Sequence, residues 1–140
     1  MEKGYVTSID EAFAKYLDES AMCYISRESP EFDDSVARIL AAGGVAVLPH
    51  PGRARGGAKI LENEAAEMQR MGLRGIEVYH SDHDAADVAF YLAIAKKLGL
   101  AITGGSDFHG AAKPNIQLGT GIDGNLHIPK SLLDHLRELK

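Results

Sequence analysis

The chain has 140 residues, of which 45% are hydrophobic and 25% charged, and its formal net charge is -5. This length and composition predict one globular domain with a modest core. The acidic balance argues against a protein that coats DNA, because such proteins carry an excess of lysine and arginine. The single cysteine, Cys23, excludes an internal disulfide. Since the sequence has no apolar leader and no stretch of membrane-spanning length, we expect a cytoplasmic protein without a membrane partner.

Helical and strand-like patterns alternate along the chain. Ser8 precedes the first helical pattern, with Glu11 at the spacing of a capping box. An irregular connector is predicted over residues 20–32, and residues 111–129 predict a loop with at most one short strand. In chain order, the patterns predict helices over residues 8–17, 33–44, 61–72, 84–99 and 130–140, and strands over residues 45–52, 73–80 and 100–110.

The three strands end in polar residues at a nearly constant interval. His50, the Tyr79–His80 pair and Asp107 follow one another at steps of 29 and 28 residues. Each step holds one strand and one helix, which is typical of parallel βα units. These residues are therefore expected at one C-terminal edge of a sheet, where α/β proteins build their sites. Because a closed barrel needs about eight strands, the sheet is either open or part of something larger.

Four of the six histidines lie at or just beyond the strand ends: His50, His80, His83 and His109. Together with Asp107 they form a donor set that suits Mn²⁺, Zn²⁺ or Fe²⁺ better than Ca²⁺ or Mg²⁺. If the third strand continues through them, Asp107 and His109 point to the same side. The alternative is that these are ordinary surface or core histidines. His127 and His135 lie outside the pattern and are assigned to the surface.

The loop "HPGRARGG", residues 50–57, is a candidate anion site. It places two arginines and three glycines directly after the first strand. A guanidinium binds phosphate through two parallel hydrogen bonds. Arg53 is the better candidate because it is nearer the strand end, whereas Arg55 is expected in solvent. An ordinary flexible turn is the alternative. The glycines of "TGGSDFHG" match neither the dinucleotide fingerprint nor the P-loop pattern.

Three segments, "AAGGVAVLPHPGR", "GLRGIEVYHSDH" and "TGGSDFHG", resemble the later motifs of the PHP (polymerase and histidinol phosphatase) metal-dependent phosphoesterases. They are most similar to its branch of nucleotide phosphatases and 5′-to-3′ exoribonucleases. The resemblance implies a distorted seven-stranded βα barrel in which a metal-activated water hydrolyses phosphate monoesters of nucleotides, such as 3′,5′-nucleoside bisphosphates or short RNA ends.

The same resemblance assigns roles to particular residues. It implies His50, Asp107 and His109 as ligands of a divalent metal, with Mn²⁺ expected first and Zn²⁺ or Fe²⁺ as alternatives. It implies Arg53 as a phosphate contact. His80 and His83 are implied as further phosphate or substrate contacts.

The motifs of the family's first half have no counterpart here. The sequence has no His-x-His motif and no histidine before His50. We therefore expect residues 1–140 to form the C-terminal portion of a PHP domain, inactive alone and completed by the missing N-terminal half or a second copy. A half-barrel would leave an unpaired sheet edge. The alternative is a non-catalytic α/β module that binds metal or phosphate in assembly or regulation.

Overall fold

The structure is a computed structural model that describes residues 1–26, 29–53 and 59–140. The chain divides into two compact units, Met1–Pro30 and Glu31–Lys140, and each is described by itself. Within the described residues, we find no helix that is long and apolar enough to cross a membrane.

The first unit contains helix α1, Ile9–Ala12, which continues into a π-helical turn over Phe13–Leu17. The Ser8 hydroxyl accepts a hydrogen bond from the Glu11 N–H at 3.0 Å, as an N-cap does. The Glu11 carboxylate bonds the N–H of Thr7 at 2.7 Å. In a full capping box it would bond the N–H of Ser8. The predicted N-cap is thus confirmed, while the return bond falls one residue earlier.

The second unit is built on a parallel sheet of three strands: β1, Val47–Leu48; β2, Gly75–His80; and β3, Ala101–Gly105. Their order is β1-β2-β3, and both pairs are parallel. The helices of this unit are α2 (Phe32–Ala41), α3 (Glu62–Arg70), α4 (Ala85–Leu98) and α5 (Lys130–Glu138). The predicted alternation of strands and helices is confirmed, and β2 lies at the centre of the sheet.

Residues at both ends of helix α4 fix where the helix begins and ends, and packing in the core stabilises it. The Asp84 carboxylate caps its first turn by accepting from the Asp87 N–H at 2.8 Å. Gly99 ends it in the left-handed conformation, with φ of 64°. Its buried face packs into the core, which includes Ile60, Ala65, Leu73, Ile76, Val78, Tyr91, Ile94, Ala95 and Leu100. The core therefore lies between the sheet and the helices that cross over it.

Two expectations for the chain after residue 100 are wrong. Strand β3 ends at Gly105, so the polar residues that follow it are not in a strand. Asp107 has a left-handed φ of 55°, and strand alternation therefore does not govern where its side chain lies. The segment predicted to hold at most one strand forms an antiparallel pair, β4 (Ile116–Gln117) and β5 (Gly121–Ile122). Gly119, with φ of 77°, lies in the turn between them.

Candidate metal and phosphate site

His50 follows β1 and is held by a carboxylate from the neighbouring strand. Its backbone N–H donates to Glu77 Oε2 at 2.7 Å, and its φ of 28° lies in the region that favours glycine. Burial raises the pKa of Glu77, while the bond from His50 opposes that rise. Glu77 thus fixes an unusual backbone turn that presents His50. In the sequence, Glu77 stands out only as an acidic residue inside the apolar strand "GIEVYH".

His80 closes β2 and is almost fully buried, with 1% of its surface exposed. Its ring centroid lies 5.8 Å from that of His50 and 5.3 Å from that of His83. The Asp82 N–H donates to His80 Nδ1 at 3.1 Å, so the neutral ring carries its proton on Nε2. Burial lowers the pKa of His80, which favours this neutral form. Its Nε2 is a buried donor without a partner among the described residues.

His83 has the opposite hydrogen-bonding pattern to His80, because its unpartnered ring nitrogen is an acceptor and not a donor. Its Nδ1 donates to the Val78 carbonyl at 2.8 Å, so the neutral ring keeps a lone pair on Nε2. That atom is also buried without a partner among the described residues. A Cβ added to Gly52 would lie only 2.9 Å from it. Glycine is therefore required for the close approach of the Pro51–Arg53 turn to this ring.

Tyr91 stacks on His83 with ring centroids 5.2 Å apart, and its buried hydroxyl has no partner among the described residues. An unpartnered buried hydroxyl costs about 1 to 3 kcal/mol. We therefore expect Tyr91→Phe to keep or raise the free energy of unfolding at pH 7. Burial raises the pKa of Tyr91 from 10.0 to about 12. The folded state therefore holds the hydroxyl proton more tightly than the unfolded state does. The stability that this difference adds is present below pH 10 and is lost as the pH rises from 10 towards 12.

Urea unfolding at pH 7 and across that alkaline range measures both effects. In Tyr91→Phe, the free energy of unfolding should lack the part of its fall between pH 10 and 12 that the Tyr91 hydroxyl causes. Tyr5→Phe, at a tyrosine that is 75% exposed, is the matched control. A loss of more than about 1 kcal/mol in Tyr91→Phe at pH 7 would show instead that the hydroxyl makes a stabilising bond.

Asp107 and Arg53, predicted for different roles, come together beyond the strand ends. Lys113 Nζ lies 2.5 Å from Asp107 Oδ2, and Arg53 NH1 lies 3.7 Å from the same oxygen. A second guanidinium nitrogen of Arg53 forms an ion pair with Asp82. The hydrogen bond from Lys113 lowers the pKa of Asp107 below its usual range. Neither Lys113 nor Asp82 was singled out by the sequence, because no motif announces them.

His109 lies beside Asp107 with its ring half exposed. Its Nδ1 donates to the Asp107 carbonyl oxygen at 2.6 Å and lies 3.7 Å from Asp107 Oδ1. The neutral ring therefore keeps its lone pair on Nε2. A backbone carbonyl that holds Nδ1–H is the usual arrangement for a metal-binding histidine.

The histidine and aspartate side chains at this edge are of types that bind a divalent cation, but they do not by themselves form a complete metal site. Imidazole and carboxylate are ligands of Mn²⁺, Zn²⁺ and Fe²⁺. Within residues 1–26, 29–53 and 59–140, no three His, Cys, Asp or Glu side chains converge closely enough to hold a metal ion. The described residues therefore do not bring His50, Asp107 and His109 together as a three-ligand site, and their assignment as metal ligands stays a prediction. Arg55 lies outside the described residues, as do all of residues 54–57 of the predicted glycine-rich loop.

A cavity of about 490 Å³ opens beside the two buried histidines. Its apolar walls come from helix α4 and from the segment before α5, and its polar lining includes Asn125 and His127. Asn125 Nδ2 donates to the Ser81 carbonyl at 2.8 Å, and Ser81 Oγ donates to the Ser106 carbonyl at 2.8 Å. These bonds tie the ends of β2 and β3 to the wall of the cavity. His127 and His135 are exposed, as predicted.

No protein-family profile matches the chain. Over 109 residues it is 35% identical to a 3′,5′-nucleoside bisphosphate phosphatase of Chromobacterium violaceum, a match that covers 78% of this chain and 38% of the relative. Over 119 residues it is 30% identical to a 5′-3′ exoribonuclease of Escherichia coli, covering 85% of this chain and 40% of the relative. The chain therefore spans about two fifths of the length of these relatives.

Two solved structures share its fold. One, described as a metal-dependent phosphoesterase of Bifidobacterium adolescentis, matches 92% of this chain and 43% of its own, with a TM-score of 0.75 and 30% identity. The other, described as a Chromobacterium violaceum amidohydrolase with bound sulfate, matches 77% of this chain and 38% of its own, with a TM-score of 0.64 and 35% identity. This partial coverage fits the C-terminal half that the motifs indicated. Sequence and fold therefore place this chain among the PHP-type metal-dependent phosphoesterases, of which it represents one part.

Proposed function

We propose that this chain is the C-terminal part of an enzyme that hydrolyses phosphate monoesters of nucleotides, with 3′,5′-nucleoside bisphosphates or short RNA ends as substrates. The observation that carries the proposal is the convergence of Arg53 with Asp107 at the C-terminal edge of the sheet. A phosphate-binding cation and a metal-binding carboxylate side by side are what phosphoester hydrolysis needs. The named activities of the relatives support the substrate class.

His50, Asp107 and His109 would hold the divalent ion, for which Mn²⁺ is our first choice. When bound, the ion supplies a water of lowered pKa and stabilises charge on the phosphate. Arg53 would bind two phosphate oxygens in the fork geometry of its guanidinium. The sulfate in the related Chromobacterium structure supports an anion site in this fold.

His80 and His83 would contact the substrate through their buried Nε2 atoms, one a donor and the other an acceptor. A buried polar atom without a partner is costly, so a ligand that bonds it gains that free energy back. The cavity beside them has room and apolar surface for a base or a sugar. We assign the phosphate to the Arg53 side and the rest of the substrate to this cavity.

The remaining ligands would come from a segment outside this sequence or from a second copy of the chain. In the part that the structure describes, β1 and β3 pair only with β2, so each presents an edge to a further strand. We expect this chain alone to be inactive or nearly so. Its single exposed cysteine, Cys23, agrees with a reducing compartment such as the cytoplasm.

Phosphate release from a 3′,5′-nucleoside bisphosphate with Mn²⁺ tests the proposal. The chain is assayed alone over a range of concentrations and with the N-terminal remainder of the domain supplied. We expect release only after completion, whether by the remainder or, with a steeper than linear rise in rate, by a second copy. A completed domain that releases no phosphate would contradict the proposal.

The second candidate is a non-catalytic module that binds phosphate in assembly or regulation. It is favoured by one observation, that no three potential metal ligands converge within the described ranges. Such a module would bind phosphate through Arg53 without a stoichiometric metal. Its completed domain would show phosphate binding and no hydrolysis.

A further inference from the structure

We propose that Lys113 is a second phosphate-binding cation beside Arg53. The Asp107 carboxylate masks both cations until another cation binds to it. The inference rests on the proposed function, since it adds a residue to the phosphate side of the same site. The observation behind it is that the Arg53 guanidinium and the Lys113 ammonium group both lie close to one oxygen atom, Asp107 Oδ2.

Lys113 is placed at this point by its backbone. It follows the 3-10 turn Gly110–Ala112, and its N–H donates to the Gly110 carbonyl at 3.2 Å. Its own carbonyl accepts from the Ile116 N–H at 3.1 Å. The main chain is thus hydrogen-bonded on both sides of Lys113, and its side chain reaches back over the loop to Asp107.

Stability does not explain this arrangement. Lys113 and Asp107 are partly exposed, with side-chain exposures of 34% and 21%, and an ion pair of that kind contributes at most about 1 kcal/mol. Placing Arg53 on the same oxygen adds repulsion between two cations. A tetrahedral phosphate, in contrast, presents several oxygens and can bond both cations at ordinary hydrogen-bond distances.

The local charges explain why the pair is masked. Arg53 and Lys113 carry two positive charges, and Asp82 and Asp107 carry two negative charges that contact them. The cluster is therefore balanced and attracts an anion weakly. When Asp107 binds another cation, Lys113 is released, Arg53 keeps only its pair with Asp82, and the cluster becomes positive. Binding at Asp107 and binding of phosphate should thus favour each other.

Binding of inorganic phosphate to the full chain without metal, measured by calorimetry, tests the inference directly. Asp107→Asn removes the masking charge, and we expect it to tighten phosphate binding at least about five-fold. Adding Lys113→Met to that variant should abolish the gain. Lys97→Met is the matched control, because Lys97 pairs with Glu62 at 2.6 Å on other helices, and it should change nothing. Asp107→Ser is a second unmasking variant, should the asparagine not fold.

Unchanged phosphate affinity in both folded Asp107 variants would overturn the inference, as would a gain that survives Lys113→Met. Arg53→Met, also on the Asp107→Asn background, separates this failure from that of the proposed function. If Arg53→Met weakens binding and Lys113→Met does not, the phosphate site stands and the role of Lys113 is wrong. If neither matters, the phosphate site itself is wrong.

Discussion

Ile76→Ala is expected to lower the free energy of unfolding by about 2 to 5 kcal/mol, the usual range for truncating a large aliphatic residue in a packed core. Ile76 lies in the central strand β2 and is 0% exposed. Its side chain belongs to the core between the sheet and the helices. Because the strand is paired on both sides, it cannot move to fill the space, and the loss includes the cost of a cavity.

Urea unfolding followed by circular dichroism measures this loss. Ile25→Ala is the matched control, since Ile25 is 86% exposed, and it should cost less than about 0.5 kcal/mol. Equal losses in the two variants would contradict the placement of β2 at the centre of the core.

His50→Ala is expected to lower kcat/KM of the completed enzyme at least about 100-fold. Loss of a group that merely orients a metal ligand already costs about 10- to 100-fold, and removal of the ligand itself should cost at least as much. Glu77 holds the His50 backbone, so a substitution of the side chain should leave the turn in place. The effect should therefore appear in activity and leave the fold intact.

Phosphate release from a 3′,5′-nucleoside bisphosphate with Mn²⁺ measures this effect. His135→Ala is the control, because His135 is an exposed histidine of helix α5. An activity of His50→Ala within a few-fold of the wild type would show that His50 is not a metal ligand.

Sequence periodicity and end signals predicted the architecture well. The helix predicted over residues 84–99 forms as α4, Ala85–Leu98, between the Asp84 N-cap and Gly99. The interval between polar strand ends correctly placed the ends of β1, β2 and β3 in one sheet. These features are local or repeat at short range, so one sequence contains them.

The contacts that organise the site were not predictable in the same way. Glu77 and His50 are 27 residues apart, and nothing in either segment announces their hydrogen bond. Lys113 reaches Asp107 only because the chain leaves β3 at Gly105 and turns back. The expected continuation of the strand through "SDFH" hid that turn. Such contacts depend on loop geometry, which side-chain periodicity does not encode.

Titration of this chain with Mn²⁺, followed by the electron paramagnetic resonance signal of the free ion, tests the central claim most directly. The claim is that this edge of the sheet is one side of a metal-dependent phosphoesterase site. We predict one weakly bound Mn²⁺ per chain, with affinity at least about ten-fold lower in His50→Ala and in His109→Ala and unchanged in His135→Ala. Equal affinity in all four proteins, or no binding to the wild type, would contradict it.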